Sequence, residues 1–344
     1  MGDQLVGNLT IKDIARKTGV SITTVSRVLN KKEEGVSEKT REKVLRVMEE
    51  VNYQPNQLAR GLVTKRSKML GLIVPNISNP FFPELCRGAE DEANLRQYSL
   101  IICNSDDKSE KEKNYLRLLE EQQVDGVLLS SKDRLSKSSK AKLQRGKVPF
   151  VLLDRGEEAS NLSGVFLDNE KGGYMAGKHI TDLGHRHIAC ITGPSEIRNV
   201  QRRLKGFQRA LNEASVEIPE SFIITGDFKM ESAYQLTKKF LMENNVTAIF
   251  ACNDVMACGV YQAAHELGIQ IPEQLSIVGF DDIPLVTALI PKLTTVRQET
   301  YEMGRRAIEL LINEIEGETS EAVVFEPTLI VRESTRQMER GKDL

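Results

Sequence analysis

Aromatic and polar side chains recur where the apolar, strand-like segments of this chain end. The run IVPNISNPFF places Phe81 and Phe82 directly after a turn-like Asn79-Pro80, in a chain that has no tryptophan. Neighbouring side chains of an extended segment point in opposite directions, so both rings are buried only if protein or a ligand covers the second face. The pair therefore predicts either core packing or an aromatic surface for a ligand.

Carboxylate, amide and guanidinium groups follow several other apolar segments. Ligands of open α/β sheets bind at the carboxyl ends of the strands, where such side chains meet. Phenyl faces can pack on the C–H groups of a sugar, while carboxylates accept hydrogen bonds from its hydroxyls and guanidiniums donate to them. This combination indicates a carbohydrate pocket, although polar residues at strand ends also serve simply to cap the following helices. The candidates are Asn79, Phe81, Phe82, Asp154, Arg155, Arg203, Phe228, Asn253, Asp281 and Gln298.

The charges in this set favour an uncharged ligand. Two carboxylates, Asp154 and Asp281, stand against two guanidiniums, Arg155 and Arg203. Phosphate groups are recognised by an excess of positive charge, which this set lacks. We therefore expect a neutral polyol, with a phosphorylated sugar as the open alternative.

The elements that must position these side chains begin at Met69. Apolar runs alternate there with amphipathic helical stretches, which is typical of parallel strands covered by helices on both faces. About ten such units exceed one comfortable sheet, so we expect two α/β lobes with the ligand between them. The runs are MLGLIV, LIICNS, DGVLLSS, FVLLDR, GVFLD, HIACITG, FIITGD, AIFACND, LSIVGFD and LTTVRQ.

The first thirty residues predict two short helices joined by a tight turn. Thr10 can cap the first helix with Asp13 as its capping-box partner, Gly19 can end it, and Ser21 can cap the second helix. The second helix would bury Val25, Val28 and Leu29. A third helix, capped by Ser37, closes the core through Val44, Leu45, Val47, Met48 and Val51.

The outward face of the second helix predicts contact with DNA. An arginine such as Arg27 can grip guanine bidentately in a major groove. Residues 1–68 carry 14 Lys and Arg against 8 Asp and Glu, in a chain whose net charge is −2, so the front end alone suits a polyanion. A solvated helical hairpin is the alternative. The face shows Ile22, Thr23, Ser26, Arg27 and Asn30, and the hydroxyls placed to bond phosphates are those of Thr10, Ser21, Thr24 and Ser26.

The next segment, YQPNQLARGL, predicts a helix that forms only with support. Pro55 ends the third helix, and Asn56 can cap a helix of about six residues. Isolated helices need about 12–15 residues to be stable in water, so this one is expected to fold on binding. A plain linker is the alternative.

Composition favours a cytoplasmic protein that is not an enzyme. No apolar run approaches the ~20 residues of a membrane helix, and the start MGDQLVGNLTIKD lacks the regions of a signal peptide. The five cysteines stand singly in apolar segments, as in a reducing compartment. His185 and His187 alternate before a strand, a pattern more typical of a turn than of a zinc site. We expect no catalysis, metal, cofactor or membrane contact.

These features together resemble the LacI/GalR family of bacterial transcription regulators. LTIKDIARKTGVSITTVSRVLN and YQPNQLARGL carry the resemblance most specifically, and the remainder is similar to periplasmic sugar-binding proteins. The resemblance implies an all-α helix-turn-helix headpiece joined to an α/β, two-lobed, periplasmic-binding-protein-like effector domain. The implied boundaries are 1–55 for the headpiece, 56–67 for the hinge helix and linker, 68–164 with 292–321 for the N-terminal lobe, and 165–291 with 322–337 for the C-terminal lobe.

The resemblance also implies a repressor that binds operator double-stranded DNA as a homodimer, on a palindromic site. Ile22, Thr23 and Arg27 match the positions that read bases, and Leu62 matches a leucine that wedges into the minor groove. Ile22 departs from the polar or aromatic residues common at its position, so the operator sequence stays open. The implied DNA-binding residues are Thr10, Ser21, Ile22, Thr23, Thr24, Ser26, Arg27, Asn30, Asn56, Ala59 and Leu62.

Within the family, the candidate pocket resembles that of ribose-binding members. The run Asn79 to Phe82, the pair Asp154-Arg155 and Arg203 three residues before Gly-Phe match the ribose pattern, as do the remaining candidates. The resemblance implies that D-ribose binds between the lobes, sandwiched by Phe81 and Phe82, and releases the operator. The alternatives are a catabolite regulator of the same family with a phosphorylated carrier protein as corepressor, and a repressor for another pentose or a sugar phosphate.

Overall fold

The chain divides into two units, Met1–Ser67 and Lys68–Leu344. The computed structural model describes residues 9–29, 35–53, 66–131, 148–155 and 162–338. Four residues of the predicted DNA-binding set lie outside these ranges, and so does most of the predicted hinge segment. The four are Asn30, Asn56, Ala59 and Leu62.

The first unit contains the three predicted helices, α1 (Ile11–Thr18), α2 (Ile22–Leu29) and α3 (Glu38–Glu50). The backbone N–H and the hydroxyl of Thr10 both donate to Asp13 Oδ2, at 2.9 and 2.7 Å, so the predicted capping box is confirmed. Gly19 ends α1 at φ 66°, a left-handed conformation that glycine adopts at little cost. Local sequence therefore specifies both ends of α1.

The core of this unit differs from prediction at one position. Ile14, Val25 and Val44 are fully buried between the three helices, whereas Leu45 is 49 % exposed. Residues three, four and seven places after Val44 continue its face of α3, and Leu45 lies about 100° away around the helix. Leu45 is therefore a surface residue, and placing it in the core was wrong.

The second unit contains two six-stranded sheets, and all ten predicted strands are present. The first sheet has the order β11-β5-β4-β3-β1-β2, and each of its pairings is parallel. Its strands are β1 (Met69–Val74), β2 (Ser99–Asn104), β3 (Gly126–Leu129), β4 (Phe150–Leu153), β5 (Gly164–Leu167) and β11 (Val323–Phe325). Its helices are α4 (Phe81–Leu95), α5 (Ser109–Glu121) and α10 (Thr300–Glu316).

The second sheet has the order β12-β10-β9-β8-β6-β7, parallel except for the β10–β12 pair. Its strands are β6 (Ile188–Thr192), β7 (Ile223–Thr225), β8 (Ala248–Ala251), β9 (Ser276–Asp281), β10 (Thr294–Arg297) and β12 (Thr328–Ile330). Its helices are α6 (Asn169–Asp182), α7 (Arg198–Glu213), α8 (Met230–Glu243) and α9 (Asp254–Glu266), with 3₁₀ turns at Glu220–Phe222 and Pro284–Thr287.

Three crossings join the two sheets, and they fall a few residues away from the predicted lobe boundaries. β5 pairs with β4 in the first sheet, β10 pairs with β9 in the second, and β11 pairs with β5 in the first. The predicted boundaries at 164/165, 291/292 and 321/322 each put one of these strands in the wrong lobe. Each crossing follows the end of a strand that pairs within its own sheet. The hydrophobic pattern of a single segment does not show which of the two sheets that segment joins.

Close helix packing in the C-terminal lobe holds the backbone from which Arg203 projects. A Cβ atom on Gly173 of α6 would lie 1.9 Å from the backbone oxygen of Arg203 in α7. Only glycine permits this approach, so α6 and α7 meet backbone to backbone. No helix in the described part of the chain is long and apolar enough to span a membrane.

Candidate ligand cavity and nucleic-acid interface

A cavity lies between the two lobes, with about 350 Å³ of empty space that includes its opening to solvent. Nine of the ten predicted ligand residues line it, from strand ends and helix starts that are far apart in the sequence. The tenth, Gln298, lies in the second crossing between the lobes. The lining residues are Asn79, Phe81, Phe82, Asp154, Arg155, Ile197, Asn199, Arg203, Phe228, Asn253 and Asp281.

Phe81 and Phe82 are the first two residues of α4, not the end of an extended segment. Asn79 Oδ1 accepts a hydrogen bond from the backbone N–H of Phe81 at 3.2 Å, which helps to start the helix. The two rings are both buried and meet edge to face, with centroids 5.0 Å apart and planes at 88°. Perpendicular rings cannot sandwich one sugar ring, so that expectation was wrong. The pair instead forms an aromatic corner of the cavity.

Arg203 and Asp281 form the charged floor in the C-terminal lobe. Arg203 Nη1 lies 3.6 Å from Asp281 Oδ1 and donates to the backbone oxygen of Cys252 at 2.6 Å. Its Nε donates to Asn169 Oδ1 at 2.7 Å. Gln298 Nε2 donates to Asp281 Oδ1 at 2.6 Å, so the interlobe crossing is tied directly to this carboxylate. Gln298 therefore contacts the cavity lining through its hydrogen bond to Asp281.

Asp154 joins the lobes through a residue that was not predicted. Asn199, at the start of α7, donates from Nδ2 to Asp154 Oδ1 at 3.0 Å and to the Asp154 backbone oxygen at 3.3 Å. Arg155, beside Asp154, is held by an ion pair with Asp107 in its own lobe. Asn199 and Ile197 follow no apolar strand directly, because a loop separates them from β6. Their closeness in sequence to Arg203 on α7 is the signal that could have indicated them as site residues.

Burial changes the acidity of the cavity carboxyls. Removal from water raises the pKa of Asp281 to about 7, although Arg203 and the hydrogen bond from Gln298 act in the opposite direction. Burial likewise raises the pKa of Asp154, against the attraction of Arg155 and Arg203. Behind the cavity, burial and the neighbouring Asp281 hold the pKa of Asp254 well above its usual range. Asp281 therefore titrates near neutrality, and the pKa of Asp154 is also above its ordinary value.

Three of the residues that line the cavity have a strained backbone. Asp154, Phe228 and Asp281 have φ values of 62°, 65° and 120°, in the region that residues other than glycine rarely adopt. Each such residue costs on the order of 1–3 kcal/mol and persists where the surroundings fix it, commonly at ligand sites. The backbone at the strand ends is therefore bent so that these three side chains face the cavity.

Asn253 lines the cavity, and its buried Nδ2 has no hydrogen-bond partner among the described residues. The other end of the Asn253 amide caps α9 by accepting from Met256 N at 2.9 Å, which orients its donor. An unsatisfied buried polar group costs about 1–3 kcal/mol. A donor left over beside two carboxylates suits a ligand rich in hydroxyl groups, which both donate and accept hydrogen bonds.

The exposed face of α2, in the first unit, is the candidate nucleic-acid interface. Ile22, Thr23 and Arg27 are exposed, while Val25 and Val28 face the core. Ser21 Oγ accepts from the backbone N–H of Thr24 at 3.0 Å and lies 2.9 Å from its hydroxyl. These hydroxyls, like that of Thr10 on Asp13, order the starts of the two helices. The predicted base-reading side chains thus project from a capped helix.

Sequence comparison places both units in one family. Residues 10–56 match the model for bacterial regulatory proteins of the lacI family, and residues 178–335 match that for a periplasmic binding protein-like domain. The chain is 40 % identical over 337 residues to the ribose operon repressor of Halalkalibacterium halodurans, covering 97 % of this chain and 99 % of that one. The chain belongs to the LacI family. Its fold and headpiece are therefore those of a DNA-binding transcriptional repressor, and it is not an enzyme.

Other relatives are equally similar. The regulator DegA of Bacillus subtilis is 40 % identical, with 95 % of this chain and 98 % of DegA covered. The repressor PurR of Photobacterium profundum is 38 % identical, with 96 % and 99 % covered. Sequence identity over the whole chain thus shows that the protein is a LacI-family regulator, but it does not distinguish among PurR, DegA and the ribose operon repressor.

Solved structures show the same architecture. A lac repressor dimer bound to operator and the anti-inducer ONPF has a TM-score of 0.87 at 28 % identity, covering 96 % of this chain and 100 % of that one. A LacI-family regulator from Enterococcus faecium with bound ribose has a TM-score of 0.72 at 33 % identity, covering 79 % and 100 %. The headpiece and two-lobed effector domain implied by the sequence are confirmed.

Proposed function

We propose that this LacI-family protein represses genes for ribose uptake and catabolism, binding a palindromic operator as a homodimer and releasing it when D-ribose binds between the lobes. The observation that carries the proposal is the cavity itself. It combines the Phe81–Phe82 corner, two buried carboxylates and the Nδ2 donor of Asn253, which has no partner among the described residues. A small polyol supplies hydroxyls for each of these polar groups and C–H faces for the rings.

The charge pairing supports an uncharged sugar over a sugar phosphate. Arg155 is paired with Asp107, and Arg203 already contacts a carboxylate and two carbonyl-type oxygens. Binding a phosphate would require a guanidinium to exchange these partners for a charge-assisted pair with the ligand. A neutral sugar needs no such exchange.

The comparisons support a ribose-like effector but include other regulators at similar identity. One relative is named for the ribose operon, and the E. faecium structure contains ribose. PurR and DegA are matched over as much of the chain. The choice of ribose therefore rests on the cavity residues, and the experiment must separate ribose from other small molecules.

The mechanism we propose is a shift between two arrangements of the lobes. Dimerisation through the effector domains sets the spacing of two headpieces on the operator. D-Ribose stabilises an arrangement of the lobes in which the two headpieces no longer fit that spacing. A ligand shifts such an equilibrium only by its difference in affinity for the two states, typically about 1–3 kcal/mol of coupling.

The test measures release of DNA by candidate effectors. An operator duplex selected from random sequence is bound to the protein, and fluorescence anisotropy is followed as D-ribose, ribose 5-phosphate, L-arabinose or a purine base is added. We expect release by D-ribose, and an Asp281→Ala variant that binds the duplex but does not respond. Release by another compound alone, or an unchanged ribose response in the variant, would refute the assignment.

A further inference from the structure

Ile22 is the first residue of α2, and its aliphatic side chain is 45 % exposed. The other large apolar side chains of this helix, Val25, Val28 and Leu29, lie in or against the headpiece core. A single exposed isoleucine on a surface needs no explanation. Its position does, because the first residues of the second helix in a helix-turn-helix are those that meet base edges.

The side chain is held in a defined direction. Ser21 caps α2 through Thr24, so the backbone of the first turn is ordered. A β-branched side chain on a helix has essentially one preferred χ1 rotamer. At about 100° per residue, Ile22, Thr23, Ser26 and Arg27 share an arc of about 140° on α2. An apolar group thus stands at a fixed place among polar, base-contacting side chains.

Chemistry decides what an isoleucine can recognise there. In the major groove each base edge presents hydrogen-bond donors and acceptors, and thymine alone adds an apolar group, its 5-methyl. The isoleucine side chain can neither donate nor accept a hydrogen bond. Packing it against the amino group of cytosine or adenine would therefore remove that group's hydrogen bond to water without supplying another. We infer that Ile22 reads the 5-methyl group of a thymine in each operator half-site.

This inference rests on DNA binding by the headpiece and is independent of the effector. It also separates two kinds of contact on one helix. Arg27, exposed one turn further along, can bond guanine through its guanidinium, whereas Ile22 contributes by excluding water from a methyl group. A half-site would therefore pair one hydrogen-bonded position with one position read by shape and apolarity.

The experiment removes the methyl group from the DNA and its partner from the protein. Operator duplexes are selected from random sequence with the full-length protein, and each thymine is replaced in turn by deoxyuridine in both half-sites. Burying one methyl group changes affinity about four-fold, so two half-sites should give about fifteen-fold weaker binding at one symmetric pair of positions. In Ile22→Ala the same replacement should change affinity less than about two-fold.

Two further variants keep the result interpretable. Leu45→Ala removes a leucine of similar exposure from α3 and should discriminate thymine from deoxyuridine as fully as the wild type. If Ile22→Ala loses DNA binding altogether, Ile22→Val, which retains a branched apolar side chain, should retain most of the discrimination. Equal deoxyuridine effects in the wild type and Ile22→Ala at every position would overturn the inference, as would selected half-sites that contain no thymine.

Discussion

Asp281 makes the stability of this protein depend on pH in a direction that can be worked out from the structure. Its carboxyl is buried, and its pKa is raised from 3.8 to about 7. Between these values the folded protein holds a proton that the unfolded chain has released. Stability contributed by this group is therefore fully present below about pH 4 and is lost as the pH rises through 7, by at most about 4 kcal/mol.

Replacing Asp281 by asparagine keeps the volume and removes the titration. The free energy of unfolding of Asp281→Asn, minus that of the wild type, should rise with pH by up to about 1.4 kcal/mol per pH unit between pH 4 and 7, then level off. Arg203 loses part of its pairing in the variant. That loss shifts the difference in free energy of unfolding by the same amount at every pH in this range, because arginine stays protonated.

The assay is urea unfolding followed by far-ultraviolet circular dichroism at pH 5, 6, 7 and 8, since the chain has no tryptophan to report unfolding. Asp227→Asn, which makes the same substitution at an exposed carboxylate that follows β7 and pairs with Lys229, is the matched control. A difference between Asp281→Asn and the wild type that stays constant from pH 5 to 8 would refute the reasoning.

Three further substitutions test separate parts of the account. Asn199→Ala removes two hydrogen bonds that join the lobes at Asp154, each worth about 1 kcal/mol. Small-angle X-ray scattering should then show a larger radius of gyration, because the lobes open more often. A radius equal to that of the wild type would show that Asn199 does not hold the lobes together. Gln298→Glu sets a second carboxylate against Asp281, which should raise the pKa of that pair further and weaken ribose binding at least ten-fold by calorimetry at pH 7. Leu62→Ala should weaken operator binding in an anisotropy titration while leaving ribose affinity unchanged, because the predicted minor-groove wedge contacts only DNA. An operator affinity equal to that of the wild type would refute this role of Leu62.

Local pattern sufficed for the elements and for most of the cavity lining. Continuous apolar runs and cap residues such as Thr10 and Ser21 are properties of short segments, so the helices of the headpiece and ten strands were predictable. The side chains that follow those strands were predictable for the same reason, since parallel strands end at one edge of a sheet.

What depends on distant partners was not predictable. β11 and β12 are three residues long and are stabilised by β5 and β10, more than a hundred residues away for β11. Asn199 matters because α6 and α7 bring it to Asp154 of the other lobe, a contact no segment encodes by itself. Phe81 and Phe82 begin a helix, so their side chains leave it about 100° apart and the rings touch, whereas an extended segment would have placed them on opposite faces.

The central claim is that a neutral pentose binds between the lobes, and isothermal titration calorimetry of the full-length protein tests it most directly. D-Ribose, ribose 5-phosphate and L-arabinose are titrated in turn at pH 8, where Asp281 is ionised in most molecules because its pKa is about 7. Saturable binding of one D-ribose per chain, with no comparable heat from the other two, is the predicted result. Binding of the phosphate without binding of ribose, or silence with all three, would contradict it.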